Sequence, residues 1–503
     1  MAESFSELPQ YELDTAFSDL LPLEFCLEKK VVLLGRRPAD ASAAVKAGCL
    51  NPGDVSLRDE LAVNLRRPVT LVQLNPYEVR HALEHVYGLD LKLEEPGVER
   101  VQASRRISFA QGQAPRDILG DLLATAIRDG ASDIHIESYP GDADLRFRID
   151  GVMRQIQTPL APDNLARVVS RLKVLCGVDF AEHRHALDGR FTVLFEDGNN
   201  SRKVDLRATF LPGPHGLEVA LRVLDRKRFI LDIDHLGMPA AITKRWKSLI
   251  KYPYGLILAV GPTGVGKTTT LYASVEGFRG DNLKVVTVED PIEYEFLKVN
   301  QKNVSKAMGF ADWLRTFLRA NPDVILVGEI RDAETAEIAI RAATTGHLIL
   351  STMHTGDAIA AIGRLRALGV SDDFLSDVLV GILGQRLIRR VCPKCRAPHQ
   401  PAAELVAQYY EKPPAGGFVM GKGCEACGGS GYSGQLGVFE LLTRDPAIEA
   451  AIGRGVPVEE LRQVALARGW KPLVEDALAR AEKGDTTLEE VARKVPPRFG
   501  VRN

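Results

Sequence analysis

The octapeptide Gly261-Pro262-Thr263-Gly264-Val265-Gly266-Lys267-Thr268 constrains this chain more than any other feature. It fits the spacing GxxxxGK[ST], and its surroundings fit too. The apolar run GLILAV (255–260) precedes it, and the helix-compatible TTTLYASVEGF follows. Glycines let successive backbone N–H groups curl around phosphate oxygens, and the following helix directs its positive end at them. Lys267 can reach the β- and γ-phosphates of a nucleotide, and the Thr268 hydroxyl can ligate Mg²⁺. The nucleotide-binding stretch is therefore read as Gly261 to Thr269. A glycine-rich turn that matched by chance would not explain the strand before it and the helix after it.

From about Leu236 the runs GLILAV, KVVTV, DVILV and HLILST alternate with helical stretches. That order implies a parallel sheet with crossover helices. DVILVGE (323–329) starts 55 residues beyond the phosphate loop and reads as a buried strand ending in Glu329. Ligands bind at the carboxyl ends of strands in such sheets, so Glu329 is a candidate for Mg²⁺ or its water shell. TVEDPIEY (287–294) places three carboxylates beyond another strand. ATP hydrolysis needs a carboxylate to orient the attacking water; the alternative is a solvated acidic loop.

The rest of the chain is long enough, at 503 residues, for three or four domains. Residues 1–95 read as a small α/β module: strand LEKKVVLLG, helix SLRDELAVNL, strand PVTLVQL, helix PYEVRHALEHVYG. The Pro-, Gly- and polar-rich stretch 96–113 reads as a linker. In the next module, 114–235, RDILGDLLATAIRDG has helical spacing and DIHIES alternates as a strand. DLRFRIDGVMRQI is two strands joined by the hairpin signal Asp150-Gly151, and KVDLRAT and GLEVALRVL are further strands. A core at 236–390 is followed by a cysteine-bearing segment, 391–435, and a charged helical region, 436–503.

Composition excludes several classes. Hydrophobic residues at 45% and charged residues at 26% are those of a folded globular protein. Lys and Arg total 64 against 66 Asp and Glu, giving a net charge of −2 and no global electrostatic reason to bind nucleic acid. No apolar run approaches the roughly 18–20 residues of a membrane span, and the acidic start MAESFSELPQYELD is no signal peptide. A cytoplasmic location is expected. Of seven cysteines, Cys26, Cys49 and Cys176 are scattered and read as core residues. Cys392-Pro-Lys-Cys395 and Cys424-Glu-Ala-Cys427 form two CxxC pairs with 28 residues between them. Two such turns complete a structural Cys₄ zinc site, with Gly423, Gly428 and Gly429 giving the turns their freedom. A redox CxxC is the alternative.

Four ordered boxes, 261–268, TVEDPIEY at 287–294, DVILVGEIRD at 323–332 and TGHLILSTMHT at 345–355, together with ASDIHIE (131–137) and RFRIDGVMR (146–154), resemble the secretion and pilus ATPases of the type II/type IV secretion superfamily. The likeness runs through residues 114–440, and LLPLEFCLEKKVVLL resembles the type II branch, the general secretion pathway protein E family. The resemblance implies a RecA-like core behind small α/β, PAS-like N-terminal domains, with a zinc-binding insertion and a helical C-terminal region. It implies that Glu293 activates water and that Glu329 is the Walker B glutamate. His347 and His354 form a histidine box linking the phosphate site to subunit contacts. Arg207 and Arg222 reach the nucleotide from the second domain, and Arg315 and Arg319 act across a subunit boundary. The first module lacks the RLG-containing segment that binds cyclic di-GMP in some pilus-type relatives, so no such site is expected. HGLEVALR, Asn321-Pro-Asp, Met353 and Gly356-Asp357 depart from the family pattern without removing any assigned residue.

The function expected is that of an ATPase motor working as a homo-hexamer with ATP, Mg²⁺ and Zn²⁺. Residues 1–95 would dock to the cytoplasmic part of an inner-membrane partner, and the motor would drive pseudopilus assembly through a membrane platform protein. A type IV pilus extension ATPase, a DNA-uptake motor and a nucleotide-gated scaffold are the alternatives. The Arg315/Arg319 pair adds a local argument: two cations four residues apart on a helix between Asp312 and Ala320 repel each other and call for an outside anion.

Overall fold

A computed structural model describes residues 11–495, apart from 12, 23, 24, 27, 28, 39, 41, 75, 88–96, 110–113, 180, 181, 183, 199, 226, 228, 230 and 279–281. The acidic N-terminal decapeptide, part of the LLPLEFCLEKK segment and both ends of the expected linker lie outside the described residues. The chain divides into two compact units, Met1–Glu99 and Arg100–Asn503.

In the first unit, β1 (Val31–Leu34), β2 (Val45–Cys49) and β3 (Val69–Gln73) form a three-stranded sheet, antiparallel then parallel. The helix Val55–Leu65 starts where the Asp54 carboxylate accepts from the Leu57 N–H at 3.0 Å, and Leu57, Leu61 and Leu65 repeat every four residues on its buried face. Strand β2 has no counterpart among the sequence expectations. Its VKAGC carries few strand formers, and Gly48 is set by Leu74, whose side chain fills the place of a β-carbon. Cys26 and Cys49 are buried here as expected.

Next along the chain comes a seven-stranded sheet, whose first strand starts two residues before Arg100. Its strands are β4 (Val98–Gln102), β5 (Asp133–Tyr139), β6 (Asp142–Ile149), β7 (Val152–Gln155), β8 (Leu187–Asp197), β9 (Asn200–Gly213) and β10 (Gly216–Leu224), in the order β4-β8-β9-β10-β5-β6-β7. Part of the stretch read as a linker is thus a strand: Val101 is buried, and Arg100 and Gln102 meet Glu196 of β8. Alternation along β5 and β6 buries one face against the helices Pro115–Arg128 and Pro162–Cys176. Asp150 and Gly151, both at positive φ, make the expected hairpin turn between β6 and β7.

A second seven-stranded sheet holds the phosphate loop. It comprises β11 (Gly255–Val260), β12 (Val285–Glu289), β13 (Asn300–Asn303), β14 (Val324–Val327), β15 (Leu348–Met353), β16 (Leu379–Val391) and β19 (Tyr432–Thr443), in the order β13-β12-β14-β15-β11-β16-β19. All neighbours are parallel except β16 and β19. Strands β11, β14 and β15 are buried at every position, as helices on both faces require. The long ribbon of β16 and β19 carries the sheet past residue 390. Between them the chain makes the small hairpin β17 (Arg396–His399) and β18 (Phe418–Gly421) and the cysteine turns. Four helices within 446–494 close the chain, and no helix among the described residues is long and apolar enough to cross a membrane.

Candidate phosphate site and cysteine knuckle

The loop 261–266 joins the end of β11 to the helix Lys267–Glu276. Gly261 (φ +150°) must be glycine twice over, because a β-carbon would also come within 2.6 Å of the Gln385 carbonyl oxygen. The Lys267 ammonium folds back onto the loop, donating to the carbonyls of Gly261 at 2.7 Å and Pro262 at 2.8 Å. Burial lowers its pKa to about 8; the Arg386 charge adds to the fall and Glu329 opposes it. Thr268, in the first turn of the helix, is exposed.

Glu329 follows β14, nine-tenths buried, paired with Arg331 and 3.5 Å from His354 Nε2. Its Oε2 is buried and has no hydrogen-bond partner. An unsatisfied carboxylate oxygen within the field of Lys267, with the Thr268 hydroxyl open on the first turn of the loop helix, suits Mg²⁺. Burial lowers the His354 pKa, as do Lys267 and Arg331, while Glu329 opposes them.

The three carboxylates of 287–294 have separate duties. Glu289 is buried and accepts from Tyr272 Oη, Thr287 Oγ1 (2.6 Å) and Gln301 Nε2 (3.1 Å), so it builds the strand end and cannot face water. Asp290 is exposed. Glu293 is held through its backbone N–H, which donates to Tyr272 Oη at 3.1 Å, and its carboxylate lies 3.1 Å from Arg207 Nη2. Burial pushes the Glu293 carboxyl above the usual range against the pull of Arg207 and Arg222. Tyr272, on the loop helix, therefore couples this carboxylate to the loop. Glu289 and Arg331 lie inside the boxes read from sequence but had been given no role of their own, and Tyr272 lies outside all four boxes.

Arg207 on β9 and Arg222 on β10 are directly cross-strand partners, so one sheet face aims both. Arg222 is 3.5 Å from Asp133 of β5. The two histidines separate. His354 lies at the Glu329 carboxylate, whereas His347 precedes β15 at its opposite end, where its carbonyl accepts from the Gly255 N–H at 3.1 Å. Gly255 opens the strand that Val260 closes, so about 17 Å of strand separates His347 from the phosphate loop. Arg315 corrects the local argument made from sequence. It pairs with Asp312 at 3.4 Å and with Glu334 of the next helix, so its charge is answered within its own chain. Arg319 stands just past the helix Phe310–Leu318, exposed.

The four paired cysteines converge. Their sulfurs lie within 4.8 Å of one another, with Cys392–Cys424 and Cys395–Cys427 at 3.9 Å and Cys424–Cys427 at 3.7 Å. A tetrahedron of thiolates at the usual Zn–S length of about 2.3 Å has edges of about 3.8 Å, whereas a disulfide needs about 2.05 Å. Backbone N–H groups of Cys424 (3.2 Å) and Gly431 (3.3 Å) donate to Cys427 Sγ, as thiolates in a metal knuckle require.

A family model described as "Type II/IV secretion system protein" matches residues 110–493, and an "MshEN domain" model matches 4–93. The chain is 39% identical over 441 residues to a "Type II secretion system ATPase E" of Vibrio cholerae, covering 84% of this chain and 86% of that one. It is 34% identical over 512 residues to the "Type IV pilus assembly ATPase PilB" of Myxococcus xanthus, covering 97% and 88%. Among solved structures, the pilus retraction motor PilT with bound ADP superposes with a TM-score of 0.51 at 29% identity, over 75% of this chain and 96% of PilT. Since one family model takes in six of the seven strands of the first large sheet, all of the second, the phosphate loop and the cysteine knuckle, the chain belongs to the type II/IV secretion system protein family.

Proposed function

We propose that the protein is a cytoplasmic ATPase motor, peripherally bound to the inner membrane, that drives pseudopilus assembly and protein export by a type II secretion system. The observation that carries the mechanism is the meeting of Arg207, on β9 of the first large sheet, with Glu293, in the loop that follows β12 of the second, 3.1 Å apart. Lys267 and the loop amides hold the nucleotide's phosphates, and Thr268 and Glu329 are the residues that would hold Mg²⁺. That ion neutralises charge on the β- and γ-phosphates when bound. Glu293 orients and accepts a proton from the attacking water. Arg207 and Arg222 neutralise the transferring phosphoryl and release it on opening, which turns hydrolysis into movement of one sheet domain against the other.

His354 reads the Glu329 carboxylate, and His347 and Arg319 face a neighbouring subunit of a hexameric ring, Arg319 reaching its nucleotide. Arg315 positions that helix through Glu334. One zinc on the four cysteines holds the knuckle, and residues 1–95 dock to the cytoplasmic part of a membrane-anchored partner. We assign residues 114–235 to the second N-terminal domain, 236–390 to the core, 391–435 to the zinc insertion and 436–503 to the C-terminal region. The nearly full-length likeness to a pilus assembly ATPase favours one second reading, pilus extension by the same chemistry.

The test is complementation in a strain lacking its own copy, beside ATPase assays of the purified protein. Lys267→Ala should abolish hydrolysis and export together. Loss of pili with export intact would select the second reading. Hydrolysis that requires DNA at low salt would overturn both.

A further inference from the structure

Gln385 belongs to none of the phosphate-site motifs, yet its side chain lies buried against the back of the phosphate loop. It sits on β16, where the parallel register sets Gly384 opposite Val260 and so brings Gln385 level with Gly261. Its residue is 2% exposed. The carboxamide is used at both ends: Nε2 donates to the Val265 carbonyl at 2.8 Å, and Oε1 accepts from Thr270 Oγ1 at 3.0 Å. Its own carbonyl lies against Gly261 and accepts from Arg386 Nη1 at 2.8 Å. Arg386 Nη2 in turn donates to the Gly356 carbonyl at 2.6 Å, two residues after His354.

In a trans peptide the C=O and the next N–H point in opposite directions. Fixing the Val265 carbonyl onto Gln385 therefore turns the Gly266 N–H away from β16, toward the open side of the loop. Without that anchor the Val265–Gly266 peptide is free to flip and present a carbonyl, which repels phosphate. We propose that Gln385 is the positioning residue of the phosphate loop, holding this peptide in the anion-binding orientation. The proposal rests on the nucleotide reading of the loop. Only a neutral amide suits the place, since it must donate at one end and accept at the other. Ionised glutamate cannot donate to Val265, and methionine offers no donor and only a weak acceptor.

The test uses the full-length protein with Gln385→Met, Gln385→Glu and Thr270→Val, the last removing only the second anchor. Melting temperature, the Kd for ADP, and kcat and KM for ATP are measured for each. Gln385→Met should lower ADP affinity about ten- to a hundredfold, the scale of a lost buried hydrogen bond, and raise KM more than it lowers kcat. Thr270→Val should show a smaller loss that disappears when Gln385 is already Met, because the two act through one anchor. A purely structural side chain would lower the melting temperature and leave Kd and KM alone. A folded Gln385→Met protein with parental ADP affinity overturns the proposal, as does a Thr270→Val effect fully additive with it. If Gln385→Met fails to fold, parental ADP affinity in Thr270→Val overturns it equally. Should the parent itself bind no ADP, the nucleotide reading fails, a result distinct from either.

Discussion

Binding of a nucleotide should draw a proton onto Lys267. Burial in the free protein holds that ammonium at about 8 instead of 10.5, helped by Arg386 and resisted by Glu329. Phosphate oxygens placed against it favour the charged form and push the value back up. At pH 8 about half of the free molecules carry a neutral Lys267, so each binding event takes up about half a proton. A return from about 8 to the ordinary 10.5 would correspond to roughly 3 kcal/mol of coupling, at about 1.36 kcal/mol per pH unit. Affinity should therefore be independent of this group below pH 8 and fall by up to about tenfold per pH unit above it.

The same lysine gives stability the opposite pH slope in the absence of ligand. Between pH 8 and 10.5 the unfolded chain holds a proton that the native one has lost, so the cost of burying Lys267 shrinks as pH rises through that window. Titration calorimetry with ADP at pH 8, in two buffers of different ionisation enthalpy, measures the uptake. The terminal phosphate titrates near 6 and contributes little there. Lys267→Arg cannot lose its proton and should show no uptake if it still binds. Binding by the parent protein with no proton uptake at pH 8 would refute the reasoning.

Three other outcomes follow from the site. Glu293→Gln should cut turnover by a factor of about 10² or more while leaving ADP affinity near that of the parent, since it removes water activation and no phosphate contact; equal loss of both, by calorimetry and steady-state assay, would remove its assigned role. Metal analysis should find about one zinc per chain, and Cys424→Ser should lose it along with several kcal/mol of local stability, read as a lower first melting transition; metal-free protein purified without chelator would contradict this. Mixing Lys267→Ala with Arg319→Ala protein should partly restore ATPase activity, because some interfaces then pair an intact loop with an intact arginine; confirmed hybrid rings without activity would return Arg319 to a surface role.

The phosphate loop and the four strands around it were legible because a parallel strand buried on both faces is a continuous apolar run, and GLILAV, KVVTV, DVILV and HLILST are such runs. Strand β16 escaped notice for the opposite reason. LVGILGQRLIRRV mixes glycines with cations, and its glycines answer to partners far along the chain. A β-carbon on Gly381 would meet Leu249 at 2.7 Å, and one on Gly384 would run into Glu440. Arg315 was misjudged in the same way. A reading limited to one helix sees Arg319 four residues on but not Glu334, nineteen residues away on the next helix. His347 and His354 are close in sequence, and only the strand between them reveals that they serve opposite edges of the sheet.

Strand β16 also explains why a closed cysteine site sits where it does. Past the sheet's edge, β16 and β19 run on as a two-stranded ribbon whose Ile388 and Val438 are buried with Leu473, Leu478, Leu488 and Val491 of the last two helices. Two further devices hold that end. Arg389 offers its backbone N–H (3.0 Å) and its Nε (3.0 Å) and Nη2 (2.7 Å) to Glu490 of the last helix, and its guanidinium lies 3.8 Å from the Tyr432 ring centroid of β19. Beyond it, Cys392 follows the end of β16, and its backbone N–H donates to the Gly431 carbonyl at 2.9 Å just before β19 begins. Four thiolates closing on one ion would fasten the point where the ribbon turns back. Since β16 also carries Gln385, the same strand leads from the back of the phosphate loop toward the knuckle, with a register shift between Arg389 and Val391 on the way.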